Sequence, residues 1–259
     1  MVKRKRRKPS EVIARFKDKH AFLSNFFPCE IKYHDEVFPT VENAFQALKT
    51  SSKRARKPFQ TCSPSQAKHL GQKVELIDDW ESSKISIMHI LLIWKFSREP
   101  FNRLLLSTGE KKLVEGNTWH DNFWGRCFCR GCRDRAAIAG YAPDNILGKL
   151  LMDVRKNIVA VASIKESVSG AYIGRGSIYG NPYIIGTDGA REDVIRKYHK
   201  YFHIRIKHDQ RFREFIEDLR GRFIICHCFP LACHGDIIAR YLHTTYFNNV
   251  RSKYNVQVI

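Results

Sequence analysis

The sequence predicts an α+β protein in which a mainly helical domain is followed by a small α/β domain. Three observations carry this. Apolar residues recur at helical spacing through most of the stretch from Thr40 to Arg155. Over the last ~100 residues, short apolar runs alternate with helical segments, the pattern of a small α/β unit. The texture changes near Arg155–Lys156 without a long linker. A length of 259 residues also suits two domains at about 150 residues each. The parts are drawn as a basic tail at 1–11, a first domain at 12–157 and a second at 158–259.

The elements follow in order. Val12 to Phe16 reads as a short strand, and Glu30 to Phe38 alternates around His34-Asp35 as a hairpin. Thr40 caps a helix in which Val41, Ala44, Phe45 and Leu48 share a face. Helices are predicted at Ser65–Leu70, ended by Gly71, at Trp80–Phe96, at Phe101–Leu106 and, after a break at 116–117, at Asn145–Ile158. In the second part, strands are predicted at Ile158–Ala162, Ala171–Ile173 and Phe223–Cys226. Helices are predicted at Arg191–Phe202 and Arg211–Leu219, with another starting near Gly235-Asp236.

Lys and Arg number 45 against 26 Asp and Glu, a net charge of +19, with an ordinary hydrophobic fraction of 43%. That balance excludes wholesale disorder, and no apolar run is long enough to suggest a membrane span. The charge points to a polyanionic partner, either DNA or RNA or a phosphorylated small molecule. The sharpest concentration is Lys3 to Lys8, ended by Pro9. No apolar run follows it as in a secretory signal, so a cytoplasmic setting is expected. The eight cysteines then read as thiols or metal ligands and not as a disulfide framework.

Five stretches of the first domain resemble one family in order: Phe22-Leu23-Ser24-Asn25-Phe26; Phe38-Pro39-Thr40-Val41-Glu42-Asn43-Ala44-Phe45-Gln46-Ala47-Leu48-Lys49; Asp79-Trp80-Glu81-Ser82-Ser83-Lys84; Asp121-Asn122-Phe123-Trp124-Gly125; and Asn145-Ile146-Leu147-Gly148-Lys149-Leu150-Leu151-Met152. The family is NADAR, also called YbiA-like. The resemblance implies a mainly helical α+β fold and an N-glycosidase that acts on a ribosylamino pyrimidine of riboflavin synthesis or removes ADP-ribose from modified guanine in nucleic acid. The partner it implies is therefore a phosphorylated, ADP-ribose-like ribosyl compound.

The residues suit that chemistry independently. Cleaving an N-glycoside passes through an oxocarbenium-like ribosyl cation, so a site needs a carboxylate near the anomeric carbon, a proton donor for the departing nitrogen and a platform for the base. Glu42, Asp121 and Trp80 supply these types. Glu42 lies in the first turn of a helix, where the dipole favours a carboxylate, which suits a base or a stabiliser of the cation. Asp121, among aromatic residues, suits a desolvated acid, and the two roles are interchangeable at this stage. The bland readings are a capping glutamate, a turn aspartate and a core tryptophan. Gln46 and Lys49 share the helix face of Glu42. Asn25, Phe45, Lys84 and Trp124 complete the candidate substrate-binding set.

Cys127, Cys129 and Cys132 lie among Arg126, Arg130, Arg133 and Arg135. The cysteines could supply part of a zinc site, with His120 a possible fourth ligand, but the preferred reading is a basic loop with incidental thiols, and no cofactor or metal is expected.

The second domain resembles the domain-of-unknown-function family numbered 4326, through Tyr172 to Tyr183, Gly189 to Ile195 and Leu219 to Asp236; that resemblance implies no activity. Gly174, Arg175, Gly176 and Ser177 after a strand offer amides, a cation and a hydroxyl to a phosphate or nucleotide. Asn181, Cys228, His234 and Asp236 are added to this candidate ligand loop, because α/β domains place ligands at the C-terminal edge of the sheet. Zinc at Cys226, Cys228, Cys233 and His234 is not favoured, because Cys233 and His234 are adjacent. The leading reading is an N-glycosidase with a second, nucleotide-recognising domain. Its rival is a non-catalytic ADP-ribose or nucleic-acid binding protein.

Overall fold

The computed structural model describes residues 11–140 and 142–254; the basic run at 3–8 lies outside them. Near the start of the first domain, one residue turns a strand into a helix. Pro28–Tyr33 and Glu36–Thr40 pair antiparallel with Tyr33 opposite Glu36, the predicted hairpin. Thr40 then caps the helix Val41–Ala47 by accepting a hydrogen bond from the Asn43 amide. Asn43 is buried inside that turn, and its Nδ2 donates to the carbonyls of Phe59 and Cys62 at 2.9 and 2.8 Å. The loop beyond the helix is thereby tied back to the helix start.

The helix Trp80–Phe96 has its predicted limits and is the centre of the domain. Ile87, Ile90, Leu91, Leu92 and Ile93 are all 0–1% exposed. A helix apolar on nearly every side must be enclosed by neighbours; each such side chain contributes about 1.5–3 kcal/mol of hydrophobic stabilisation. Phe101–Leu106 and Ile146–Asn157 pack against it. Val12–Ile13 pairs parallel with Lys112–Leu113, and Gly116–Asn117 pairs parallel with Arg126–Cys127. The basic loop expected after Cys127 is instead a helix, Arg130–Ala139. Cys129 is its N-cap, and Gly140 ends it at φ 63°.

The second part is built on a three-stranded parallel sheet with Phe223–Cys226 between Ala160–Ser163 and Gly170–Tyr172. Helices Arg191–His208 and Gln210–Glu217, each beginning at the predicted place to within a residue, cover it. The last helix, His234–Lys253, joins the two parts. Its Ile238 and Leu242 belong to the core around the sheet, whereas Tyr246 and Val250 belong to the core of the helical domain. There the Tyr246 hydroxyl lies 2.8 Å from His89 Nε2 and donates to Asp153 at 2.6 Å. Arg103 adds a second tie by donating to the Val161 carbonyl and to Glu166. The fold is thus a largely helical domain followed by a smaller β/α region. Among the described residues no helix is long and apolar enough to cross a membrane.

Candidate active site

The helix Val41–Ala47, the first half of Trp80–Phe96 and the segment 115–124 enclose a cavity of about 450 Å³, within the size range of small-ligand sites. All nine candidate residues of the first domain line it: Glu42, Asp121, Trp80, Asn25, Phe45, Gln46, Lys49, Lys84 and Trp124. Glu42 and Gln46 sit one turn apart, and Gln46 Nε2 donates to Glu42 Oε1 at 2.8 Å. Asn25 is held beneath by its Nδ2 contact of 3.5 Å to Met88 Sδ. The carbonyl oxygens Asn25 Oδ1 and Gln46 Oε1 are buried without a protein partner. A buried acceptor left unpaired costs about 1–3 kcal/mol, so these two oxygens are suited to donors on a ligand.

The aromatic wall is continuous. Phe45 meets Trp80 at 5.1 Å and Trp124 at 5.4 Å, and Phe123 meets Trp124 at 5.1 Å. Lys49 reaches over the Trp80 ring at 5.5 Å and donates to the Gly71 carbonyl at 3.1 Å. Lys84 pairs with Glu81 and stands 4.7 Å from the Phe123 centroid. Lys17 and Lys68 also line the cavity, so four lysines border one aromatic-walled space.

Two acidic features differ from expectation. Glu42 is 7% exposed, and burial pushes its carboxyl above the ordinary glutamate range, opposed by the Gln46 bond and by Lys68 and Lys49. Desolvation here outweighs the helix dipole that favoured an ionised group in the sequence. The second is Glu115, which the sequence reading did not single out. Burial, then the negative charges of Asp121 and Glu42, push its carboxyl up to about 7. Only its place at the end of a short apolar run, six residues before Asp121, could have flagged it. Gly125 makes room for this turn, since a Cβ there would stand 2.2 Å from the Glu115 carbonyl. Asp121 is held differently: its Oδ1 accepts from the amides of Phe123 and Trp124 at 3.1 and 2.9 Å. The carboxyl group that burial raises most clearly in this cavity is thus Glu115.

The expectation of no metal is overturned. His120, Cys127, Cys129 and Cys132 bring four ligand atoms within 4.8 Å of one another, and Cys226, Cys233 and His234 do the same with three. The adjacent pair converges because Cys233 is the extended N-cap of the last helix and His234 its first residue, so the chain changes direction between them. His234 Nε2 donates to the Ile173 carbonyl at 2.7 Å, which leaves Nδ1 as the ligand atom.

That second cluster borders a cavity of about 240 Å³ at the C-terminal edge of the sheet. Gly174, Arg175, Asn181, Cys228 and His234 line it, whereas Gly176, Ser177 and Asp236 do not. The Ser177 hydroxyl and amide both bond to the Gly174 carbonyl, so the segment forms a closed turn and not the open cradle expected. Asp236 is spent on the Cys233 amide as a helix cap.

Fold and cavity define an α+β protein whose helical domain carries a carboxylate-rich, aromatic-walled cavity. The NADAR domain model matches residues 12–159, more than half of the sequence, and the chain belongs to the NADAR family. A domain of unknown function, DUF4326, matches residues 159–244. The chain is 35% identical to the N-glycosidase Npun_R5314 of Nostoc punctiforme, over 56% of this chain and 91% of that protein. It is 34% identical to the N-glycosidase YbiA of Escherichia coli, over 54% and 83%. It is also 34% identical to the chloroplastic riboflavin biosynthesis protein PYRR of Zea mays, matching 58% of this chain but spanning only 25% of that protein. The solution structure of E. coli YbiA aligns at a TM-score of 0.45 with 30% identity, covering 57% and 85% of the two chains. The likeness to the two N-glycosidases, each covered over most of its length, supports a glycosidase-type function at the level of the family.

Proposed function

We propose that the protein is an N-glycosidase that hydrolyses the bond between a nucleobase-like nitrogen and the ribose of a phosphorylated compound, either an ADP-ribosylated base in nucleic acid or a ribosylamino pyrimidine phosphate. The observation that carries this is the convergence of Glu42, Glu115 and Asp121 on one cavity with the aromatic wall of Phe45, Trp80 and Trp124 and four lysines. The base stacks on the aromatic wall, and the lysines hold phosphate.

In this reading Glu115, protonated near neutral pH, gives its proton to the departing nitrogen as the C1′–N bond breaks and its electron pair passes to nitrogen. The ribosyl cation is stabilised by Asp121. Water adds to C1′ and yields its proton to Glu42 or Asp121, leaving a hemiacetal hydroxyl. Such acid–base groups contribute about 10²–10⁴-fold each.

The test is to incubate the purified chain with guanine-ADP-ribosylated DNA and, separately, with a ribosylamino pyrimidine phosphate. Chromatography follows release of ADP-ribose or ribose phosphate. Turnover of either that Glu115→Gln abolishes supports the proposal, and the substrate turned over chooses between the two. Tight binding by folded protein with no turnover of either would establish the binding-protein reading instead.

A further inference from the structure

The four donors of the first cluster come from three pieces of chain, of which the one carrying His120 borders the cavity. His120 follows the cavity residue Trp119, Cys127 ends the strand paired with Gly116–Asn117, and Cys129 and Cys132 form the cap and first turn of Arg130–Ala139. His120 Nδ1 stands 3.2 Å from Cys132 Sγ and 3.4 Å from Cys129 Sγ. A tetrahedral zinc ion with Zn–S about 2.3 Å and Zn–N about 2.0–2.1 Å places its donor atoms roughly 3.5–3.8 Å apart. The side chains are therefore already at nearly the spacing that an ion between them requires.

Three further observations favour thiolates held for a metal over incidental thiols. Donors point at the sulfurs: the Cys129 amide at Cys127 Sγ (3.5 Å), the Cys132 amide at Cys129 Sγ (3.4 Å), and Asn122 Nδ2 and Arg135 Nη2 at Cys132 Sγ (3.6 and 3.7 Å). Such contacts orient metal-bound sulfur and stabilise its charge. Three thiolates around a dication leave one negative charge, in a segment that also carries Arg126, Arg130, Arg133 and Arg135. His120 has φ 68°, a left-handed conformation that is unfavourable for a non-glycine residue and persists where surrounding structure enforces it. A disulfide would use two of the thiols and give His120 no part.

We propose that His120, Cys127, Cys129 and Cys132 bind one structural zinc ion, and that this ion fixes the loop presenting Asp121 and Trp124 to the cavity. Four protein ligands close the coordination sphere, so the site is structural and not reactive. Its reach to the cavity is short. Asn122, which donates to Cys132, also accepts from the Cys127 amide at 2.9 Å. Asn117, in the paired strand, donates to the Asp121 carbonyl at 2.7 Å. Removing the ion releases the Cys129 cap and the His120 turn on either side of Asp121.

The experiment uses the full chain, expressed with zinc and purified without chelator. Zinc content is measured by mass spectrometry, and alkylation of each cysteine is mapped before and after EDTA. The expected result is bound zinc with Cys129, which is not fully buried, protected at least tenfold against iodoacetamide until chelation. Zinc that leaves the alkylation rate of Cys129 unchanged, or none bound to folded protein, overturns the site. Cobalt(II) loading gives a second reading: thiolate-to-cobalt bands are expected that disappear in Cys129→Ser and persist in Cys226→Ser, and bands equally strong in Cys129→Ser overturn the assignment. Hydrogen exchange over 117–128 tests the positioning role; faster exchange after chelation is expected, and identical exchange overturns that role.

Discussion

Gln46 Nε2 donates to Glu42 Oε1 across one helical turn at 2.8 Å, while Gln46 Oε1 has no protein partner. One side chain thus orients a buried carboxyl group and presents an unpaired acceptor beside it. Gln46→Ala should lower turnover about tenfold by freeing Glu42, with a thermal midpoint little changed. Glu42→Gln should lower it by about 10²–10⁴-fold, the worth of an acid–base group. Steady-state kinetics on both variants checks the order; equal losses would show that Gln46 does more than orient Glu42.

The proposed role of Glu115 makes the proposed reaction sensitive to pH. Its carboxyl titrates at about 7 in the folded protein, so as an acid it is competent below that value and is lost above it. The rate should fall as pH rises through about 7, and Glu115→Gln should remove that limb together with most of the activity. A pH–rate profile that keeps its alkaline limb in the variant would assign the titration elsewhere.

The same group affects stability. Its pKa is raised in the folded state, so between about 4.5 and 7 the folded chain binds more protons than the unfolded one, and this contribution to stability is lost as pH rises through that window. Above pH 7 the folded protein buries a charge. Glu115→Gln is therefore expected to unfold at higher urea than the parent at pH 8 and to show little advantage at pH 5.

Lys95 has the opposite sign. It is fully buried beside Phe27, Phe96 and Phe101 and donates to the Ser24 carbonyl at 2.8 Å. Burial lowers its pKa to about 7. Between about 7 and 10.5 the unfolded chain binds the extra proton, so stability should rise with pH across that range. Lys95→Met should flatten this slope in urea titrations at pH 7 and 9.5. It should also weaken substrate binding modestly, because the Ser24–Asn25 edge of the cavity loses its tie.

Trp124 is a half-buried member of the aromatic wall, packed on Phe45 and Phe123. Loss of base stacking is worth about 1–3 kcal/mol, so Trp124→Ala should raise the dissociation constant for a base-bearing ligand roughly 5- to 150-fold with kcat less affected. Calorimetric titration of ADP-ribose into the Glu115→Gln and Glu115→Gln/Trp124→Ala variants measures it.

Much of the local structure was legible because it rests on short-range chemistry. Thr40 as a cap, the His34-Asp35 turn, and the helices Trp80–Phe96 and Phe101–Leu106 follow from capping, turn geometry and apolar spacing within a few residues. The helix Arg130–Ala139 escaped notice because its sequence is dominated by Arg and small residues without an apolar stripe. The cysteine clusters were visible as composition, but not as ligand sets. His120 lies seven residues before Cys127, and only the left-handed turn at His120 and the pairing of 116–117 with 126–127 bring its ring to the sulfurs.

The sequence by itself determined the order of domains, most of the elements, the family and the nine first-domain residues that share the cavity, since these depend on residue type and near-neighbour spacing. Tertiary structure decided that burial raises the Glu42 and Glu115 carboxyls, that His120 completes a four-donor cluster, and that the last described helix serves two cores. Desolvation, charge proximity and ligand convergence are set by what lies within a few ångströms in space, and Glu42, Glu115 and Asp121 become neighbours only when strands and helices distant in the chain close around them.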